Sequence, residues 1–415
     1  MPSSRKAAFE ILSQWKKSPS HVFAEPLLAE YNKNTFLSAK DAGLVKALVL
    51  GVLQTKSVLN YWIDEWATGK VSASTRTLLQ IGLYQILYLR IPDHAAVNET
   101  VALSEKRSVT KFANAILRRA TREKSQVLRR TEELPLHIRY SLPSFIISRW
   151  NKHFGACITK RICALANQPA PLTMRLNALN AGDQIAIPED ASPMPAEHRF
   201  LRIKSIPHDI LNAGQGYIQD PSTALACDLL SPSPGENVLD ACAAPGGKSC
   251  LLAEHMNNQG ILIACDSSQP RLATLTENLH RQNVTIASTC RIDWTQLTPS
   301  IIKESFPHPF DKILVDVPCS NTGVIRRRHD VRWRLTPESF DTMAMLQEKI
   351  LLNVFHLLRP GGYLVYSTCS IEPEENERLV ARALKNLPKH SLLRDHTLLP
   401  TQDHDGAYAA LIARH

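Results

Sequence analysis

The chain has 415 residues, is 44% hydrophobic and 21% charged, and carries a formal net charge of +9. That length allows two or three domains of about 150 residues each, and the composition is that of an ordinary globular protein rather than a disordered one. No run approaches the ~18 consecutive apolar residues of a membrane span, and "MPSSRKAAFEILSQW" lacks the apolar core of a signal peptide.

Nine cysteines stand at 157, 163, 227, 242, 250, 265, 290, 319 and 369, an odd number with no C-x-x-C pair. The pattern speaks against a disulfide framework and against a zinc site. A cytoplasmic protein with no metal and no membrane partner is therefore expected, with most cysteines serving as small buried residues. The charge is uneven. Residues 1–130 hold 20 Lys and Arg against 10 Asp and Glu, whereas the remainder holds 28 against 29. An excess of that kind suits a polyanionic partner, nucleic acid above all, or a merely solvated surface.

Residues 1 to about 130 read as helix throughout. Only four glycines occur there (Gly43, Gly51, Gly69 and Gly82), and in "STRTLLQIGLYQILYL" Leu79, Gly82, Leu83, Ile86 and Leu87 share one face. Pro92-Asp93 interrupts the pattern, "HAAVNETVALSE" restarts it, and "KFANAILRRATRE" forms a basic helix end. Arg118 and Arg119 there suit RNA phosphates or open solvent. "TREKSQVLRRTEELP" reads as a linker helix. A small α+β unit is expected next. In it "APLTMRLNALN" is extended, "IPEDASPMPAE" (187–197) is a loop and "FLRIKSI" is a strand, with no aromatic signature for stacking RNA bases.

The rhythm then becomes strand, turn, helix. "ENVLDAC", "ILIACD", "FDKILVDVPC" and "GGYLVYSTCS" are the strands; "KSCLLAEHM", "QPRLATLTENLHRQ" and "TPESFDTMAMLQEKILLNVFHLL" are the helices. Such alternation implies a parallel, doubly wound sheet, whose ligands bind at the carboxyl ends of the strands. Attention falls on Asp240 to Gly247, Asp266, Asp316 to Cys319 and Ser367 to Ser370.

"GGKS" (246–249) ends as a phosphate-binding loop does, and "KILVDVP" passes for the acidic strand of a triphosphatase. Against that reading, Cys242 occupies the position of the first glycine, and Pro245 removes one of the N–H groups that would cradle phosphate. The rival is a nucleoside ligand. Asp266 closes the second strand where an acidic residue accepts from ribose hydroxyls, and Asp240, Asp266, Asp293 and Asp316 would tolerate a cationic sulfonium cofactor. Cys319 and Cys369 end the next two strands. A thiolate is the strongest side-chain nucleophile at neutral pH and adds to electrophilic ring carbons.

Together these residues resemble the S-adenosylmethionine-dependent RNA cytosine-5 methyltransferases. "VLDACAAPGGKS" matches their cofactor loop, and "VDVPCSNTGVIRR" and "YSTCSIEPEENE" match two further motifs. "RIPDHAAVNETVAL" and "FANAILRR" look like a NusB-like helical domain, and "LTMRLN" and "GYIQDPSTALAC" look like the family's connecting segment. Within the family, the Sun/Fmu group acting on small-subunit ribosomal RNA is the nearest.

The resemblance implies three domains: an all-α NusB-like RNA-binding domain over 1–135, a small α+β (ferredoxin/RRM-like) connecting domain over 136–225, and an α/β Rossmann-like methyltransferase domain over 226–415. It also implies residue roles. Cys242, Ala243, Ala244, Pro245, Gly246, Gly247 and Lys248 would wrap the methionine end of S-adenosylmethionine, Asp266 would bind its ribose, and Asp293 would lie on its adenine side. Asp316 would lie near both the cofactor and the target base. Cys369 would attack C6 of a cytosine in 16S rRNA and Cys319 would help resolve the adduct. Cytosine-5 DNA methyltransferases use a Pro-Cys nucleophile instead, which leaves Cys319 as the rival.

Three positions depart from the family pattern: Asn321 replaces a glycine, "RRRHDVRWR" (326–334) lacks the usual order, and Ala407 replaces an aromatic. The basic run 326–334 is expected to be a phosphate-contacting loop. The other readings are a triphosphatase, a non-catalytic RNA-binding module, and a cytosine-5 methyltransferase for another rRNA site or tRNA.

Overall fold

A computed structural model describes residues 3–180, 187–194, 197–297 and 306–415. The chain forms two compact units: residues 1–168 with 325–335, and residues 169–324 with 336–415.

The first unit is helical: α1 (Ser4–Lys17), α2 (Ala24–Asn34), α3 (Ala39–Gln54), α4 (Lys56–Trp66), α5 (Ala73–Tyr88), α6 (Asp93–Val101), α7 (Arg107–Arg122), α8 (Lys124–Glu132), α9 (Leu136–Arg139) and α10 (Ser144–Leu165). Three of the helices start on serine caps, where the hydroxyls of Ser3, Ser38 and Ser72 accept from backbone N–H groups of the first turn. Helix α5 is the centre, buried on nearly every face, and packs on α1, α3, α4, α6 and α7. Gly82 permits the α5–α7 approach, since a Cβ there would lie 2.6 Å from Leu117 Cδ2. Helix α8, expected as a linker, is part of this core: Val127 is buried and the Thr131 hydroxyl accepts from Trp62 Nε1 at 3.0 Å. No single helix among the described residues is long and apolar enough to cross a membrane.

The run 326–334 corrects the sequence reading. Although Arg328 of this run is exposed, Arg332 is fully buried in the helical unit and cannot contact phosphate. Its Nη1 donates to Tyr140 O, Ser141 O and Asn167 Oδ1, and its Nη2 to Ala166 O. Arg334 donates to Ser18 O and Trp15 O, and Trp333 Nε1 donates to Leu53 O. Burial lowers the Arg332 guanidinium to about 9 and, with Arg332 adding to it, His329 to about 4.

The second unit holds two sheets. The small antiparallel sheet has the order β2-β3-β1-β4, from β1 (Thr173–Leu176), β2 (Ser192–Met194), β3 (Glu197–Arg202) and β4 (Gly216–Ile218). Strand β2 falls inside the stretch 187–197 expected as loop; residues 195 and 196 of that stretch lie outside the described residues. The large sheet has the order β10-β11-β9-β8-β5-β6-β7. Its strands are β5 (Asn237–Asp240), β6 (Ile261–Asp266), β7 (Ala287–Arg291), β8 (Phe310–Asp316), β9 (Leu358–Thr368), β10 (His390–Leu398) and β11 (Ala407–Arg414). Strands β9, β8, β5, β6 and β7 run parallel, whereas β11 and β10 add antiparallel at one edge, so the sheet is mixed.

A short helix, α11 (His208–Asn212), packs on the small sheet, and helices cover both faces of the large one: α12 (Ala224–Leu230), α13 (Gly247–His255), α14 (Gln269–Arg281), α15 (Pro337–Phe355) and α16 (Glu377–Leu384). The strand period of two sorts the core. Leu239, Ile313, Val315 and Leu364 pack with α15 and α16, while Val238, Leu314 and Val365 pack with α12 and α13. The chain runs from β5 outward to β7, then returns to β8 on the other side of β5. The carboxyl ends of β5 and β8 therefore flank the switch point, where such folds bind ligands.

Candidate functional site

A cavity of about 250 Å³ opens at that point. Its wall includes Asp240 from the end of β5, Asp316 from the end of β8, and Cys242, Ala243, Ala244, Pro245, Gly247 and Lys248 from the intervening loop and α13. Gly246 makes the turn at φ +110°, a left-handed conformation that side chains resist. The cavity also has a wall that the sequence reading did not assign: Tyr217, Gln219, Asp220 and Thr223. They come from "GYIQDPST", and a Cβ on Gly247 would lie 3.1 Å from Tyr217 Cε1 and 3.2 Å from Gln219 Nε2. Behind Gln219, the buried Arg175 donates to its Oε1 at 2.8 Å and pairs with Glu254. Asp266 and Asp293 are not in the cavity wall. Asp266 accepts from Ser268 N and lies 3.3 Å from Arg271 Nη1, and Asp293 accepts from the backbone and hydroxyl of Thr295.

The loop's hydrogen bonds answer the question raised by its glycines. Ala241 N donates to Leu314 O, Ala243 N to Cys265 O, and Gly246 N to Ala243 O. These N–H groups are spent inside the fold and cannot cradle a phosphate. Lys248 Nζ lies 2.7 Å from Asp316 Oδ2, and Ser367 Oγ donates to Asp316 Oδ1 at 2.7 Å. Burial works against the Lys248 charge, but the Asp316 carboxylate outweighs it and holds the ammonium above its usual range. Asp240 is fully buried. Its Oδ2 accepts from Ser249 Oγ at 2.7 Å, while Oδ1 has no hydrogen-bond partner. Burial, with the nearby Asp316 charge adding to it, pushes the Asp240 carboxyl up to about 7 against the Ser249 bond. The cavity is thus lined by acids with one orphaned carboxylate oxygen, which suits a cation and not a triphosphate.

Strand register places the cysteines. Asp316 pairs with Ser367 across β8 and β9, so the loops leaving both strands start side by side. Cys319 Sγ and Cys369 Sγ lie 3.1 Å apart. The hydrogen bond with Cys369, then burial, pushes the Cys319 thiol well above its ordinary range. Cys369 is the more exposed of the two. Asn321, at φ +60°, donates from Nδ2 to Cys319 O at 2.7 Å, and its Oδ1 accepts from Cys369 Sγ at 3.2 Å. The glycine-to-asparagine departure is accommodated, because asparagine tolerates the left-handed region. Cys163, Cys227, Cys250 and Cys265 are buried with raised thiol pKa values, as inert core residues are.

A doubly wound sheet with a ligand cavity at its switch point, joined to a helical unit, defines a Rossmann-like methyltransferase carrying a NusB-type domain. Comparison with known proteins agrees. Residues 227–410 match the 16S rRNA methyltransferase RsmB/F family and residues 2–122 match the NusB family. The ribosomal RNA small subunit methyltransferase B of Yersinia pseudotuberculosis is 32% identical over 412 residues, covering 94% of each chain. The chain belongs to this family and is a 16S rRNA methyltransferase.

Two solved structures from Pyrococcus horikoshii share the fold. A methyltransferase homolog aligns with a TM-score of 0.58 and 27% identity over 68% of this chain and 98% of its own. NSun6 with SFG aligns with a TM-score of 0.54 and 19% identity over 66% of this chain and 98% of its own.

Proposed function

We propose that the protein transfers a methyl group from S-adenosylmethionine to C5 of a cytosine in small-subunit rRNA, through a covalent bond between Cys369 and C6 of the base. The observation that carries this reading is the pair of thiols, 3.1 Å apart, in the loops that leave the strand ending at the cavity and its neighbour. The cavity fits a cationic cofactor by its acidic lining and the orphaned Asp240 Oδ1. Cys242 to Lys248 would hold the methionine end, Asp266 the ribose, and Asp293 would lie on the adenine side. S-adenosylmethionine supplies, when bound, an electrophilic methyl group.

Cytosine C5 is a poor nucleophile. Cys369 gives up its thiol proton to water and its sulfur bonds to C6 as the C5–C6 double bond releases its electrons, which makes C5 enamine-like. After methylation, water takes the C5 proton, and the C5–H electrons restore the C5–C6 double bond as the C6–S bond breaks and frees the Cys369 sulfur. Cys319, held as a thiol, assists that release. Asp316, oriented by Lys248 and Ser367, acts as acceptor beside the base's amine edge or the cofactor's ammonium. The base must leave its stack to reach the thiols. Residues 1–135 hold the RNA, 136–225 connect, and 226–415 carry the chemistry.

Labelled S-adenosylmethionine and unmodified small-subunit rRNA, followed by nucleoside mass spectrometry, test this. The expected product is 5-methylcytidine. Label on any other atom, with no 5-methylcytidine, contradicts the proposal.

A further inference from the structure

Cys319 and Cys369 approach each other from separate loops, and neither strand end by itself fixes the gap between them. The geometry points to Glu375, which touches neither sulfur, as the positioning residue that sets it. The inference rests on the proposed use of the two thiols and adds the group that holds them.

Glu375 is fully buried, and both carboxylate oxygens are engaged. Oε2 accepts from Ser320 N at 2.8 Å, directly after Cys319, and from Gln347 Nε2 at 2.8 Å. The same Gln347 Nε2 donates to Pro318 O at 2.9 Å, directly before Cys319. Oε1 accepts from Ser370 Oγ at 2.9 Å, directly after Cys369. Ser320 Oγ and Ser370 Oγ lie 3.1 Å apart, and Tyr366 OH donates to Glu375 O at 2.7 Å. One carboxylate thus grips the residue after each cysteine and, through Gln347, the residue before Cys319. Charge-assisted bonds of this kind are the stronger sort, and a dry setting strengthens them further. Its charge also reaches the site, because Glu375 is among the groups that raise the Cys319 thiol, after the Cys369 bond and burial.

The test reads the thiols directly. A trivalent arsenical, phenylarsine oxide, condenses with two neighbouring thiols to form two As–S bonds and release one water, so its affinity reports their separation. Glu375→Gln is expected to bind it more weakly than wild type and to lose about 100-fold in kcat, the size of effect for a misplacement near 1 Å, with KM for RNA unchanged. In a Cys369→Ala background, Glu375→Gln is expected to move the alkylation profile of Cys319 to lower pH. A folded Glu375→Gln protein with wild-type arsenical affinity overturns the inference, whatever its melting temperature or kcat. If Glu375→Gln does not fold, Gln347→Leu and Ser370→Ala decide: weakened arsenical binding supports the clamp, and wild-type affinity in both overturns it. Absence of 5-methylcytidine from the wild-type reaction would break the proposed chemistry and leave this measurement standing.

Discussion

The two units bury charge in opposite ways. At the end of β5 and β8, charges meet charges: Lys248 pairs with Asp316, and Asp240 lies close enough for the Asp316 charge to raise its carboxyl. In the helical unit, cations meet neutral groups. The buried Arg332 is held by three backbone carbonyls and an amide oxygen, the exposed Lys16 donates to Thr77 Oγ1 and Gln80 Oε1, and the half-buried Lys56 has its Nζ 4.4 Å from the Trp333 ring centroid. Partial burial lowers Lys56 to about 8, with the Arg334 charge adding to the effect. Paired charge near a cavity holds a site open for a ligand, whereas cations dissolved in carbonyls and rings hold a fold together. A basic count in a sequence does not separate the two.

The sharpest way to break that contrast is Arg332→Ala. It removes a fork from four acceptors, of which Tyr140 O keeps only its bond from Asn167 Nδ2, so thermal or urea unfolding should show a loss of about 3 kcal/mol or more. Arg332→Lys should recover only part, because an ammonium cannot span the fork. A loss under about 0.5 kcal/mol, the range of ordinary surface changes, would return 326–334 to the surface role first expected of it.

Asp240 gives a pH-dependent effect. Its folded carboxyl titrates at about 7, against ~3.9 for an unperturbed aspartate. The folded state holds the proton more tightly, so this contribution to stability is complete below the unperturbed pKa and is lost as pH rises through about 7. Unfolding of wild type and Asp240→Asn between pH 4 and pH 8 should therefore diverge. Wild type should lose stability with rising pH, up to about 4 kcal/mol before relaxation and solvent reduce it, and the variant should lack that component. Parallel curves would mean that Asp240 is ionised throughout.

The smallest expected effect concerns RNA. Arg118 and Arg122 line a second cavity with His94 and Asn98. If both contact phosphates, neutralising them should flatten the slope of log affinity against log salt by roughly 0.7–0.9 for each. An unchanged slope would leave them as surface residues.

Much of the site was legible because parallel strands read as apolar runs, and their ends then identify themselves by Asp240, Asp316, Cys319 and Cys369. Other parts were not. Tyr217 and Gln219 reach the cavity from a small antiparallel sheet, a long-range placement that no local pattern encodes. Glu375 sits in an acidic run, "EPEENE", that composition alone marks as solvated, yet it is fully buried. Strands β10 and β11 pair antiparallel at an edge, a choice set by tertiary contacts rather than by propensity.

The most direct test incubates Cys319→Ala and Cys369→Ala proteins with cofactor and small-subunit rRNA and resolves them on denaturing gels. Retarded, RNA-linked protein should accumulate with Cys319→Ala and be absent with Cys369→Ala. The reverse pattern would make Cys319 the nucleophile, and no adduct with either would contradict covalent catalysis by this pair.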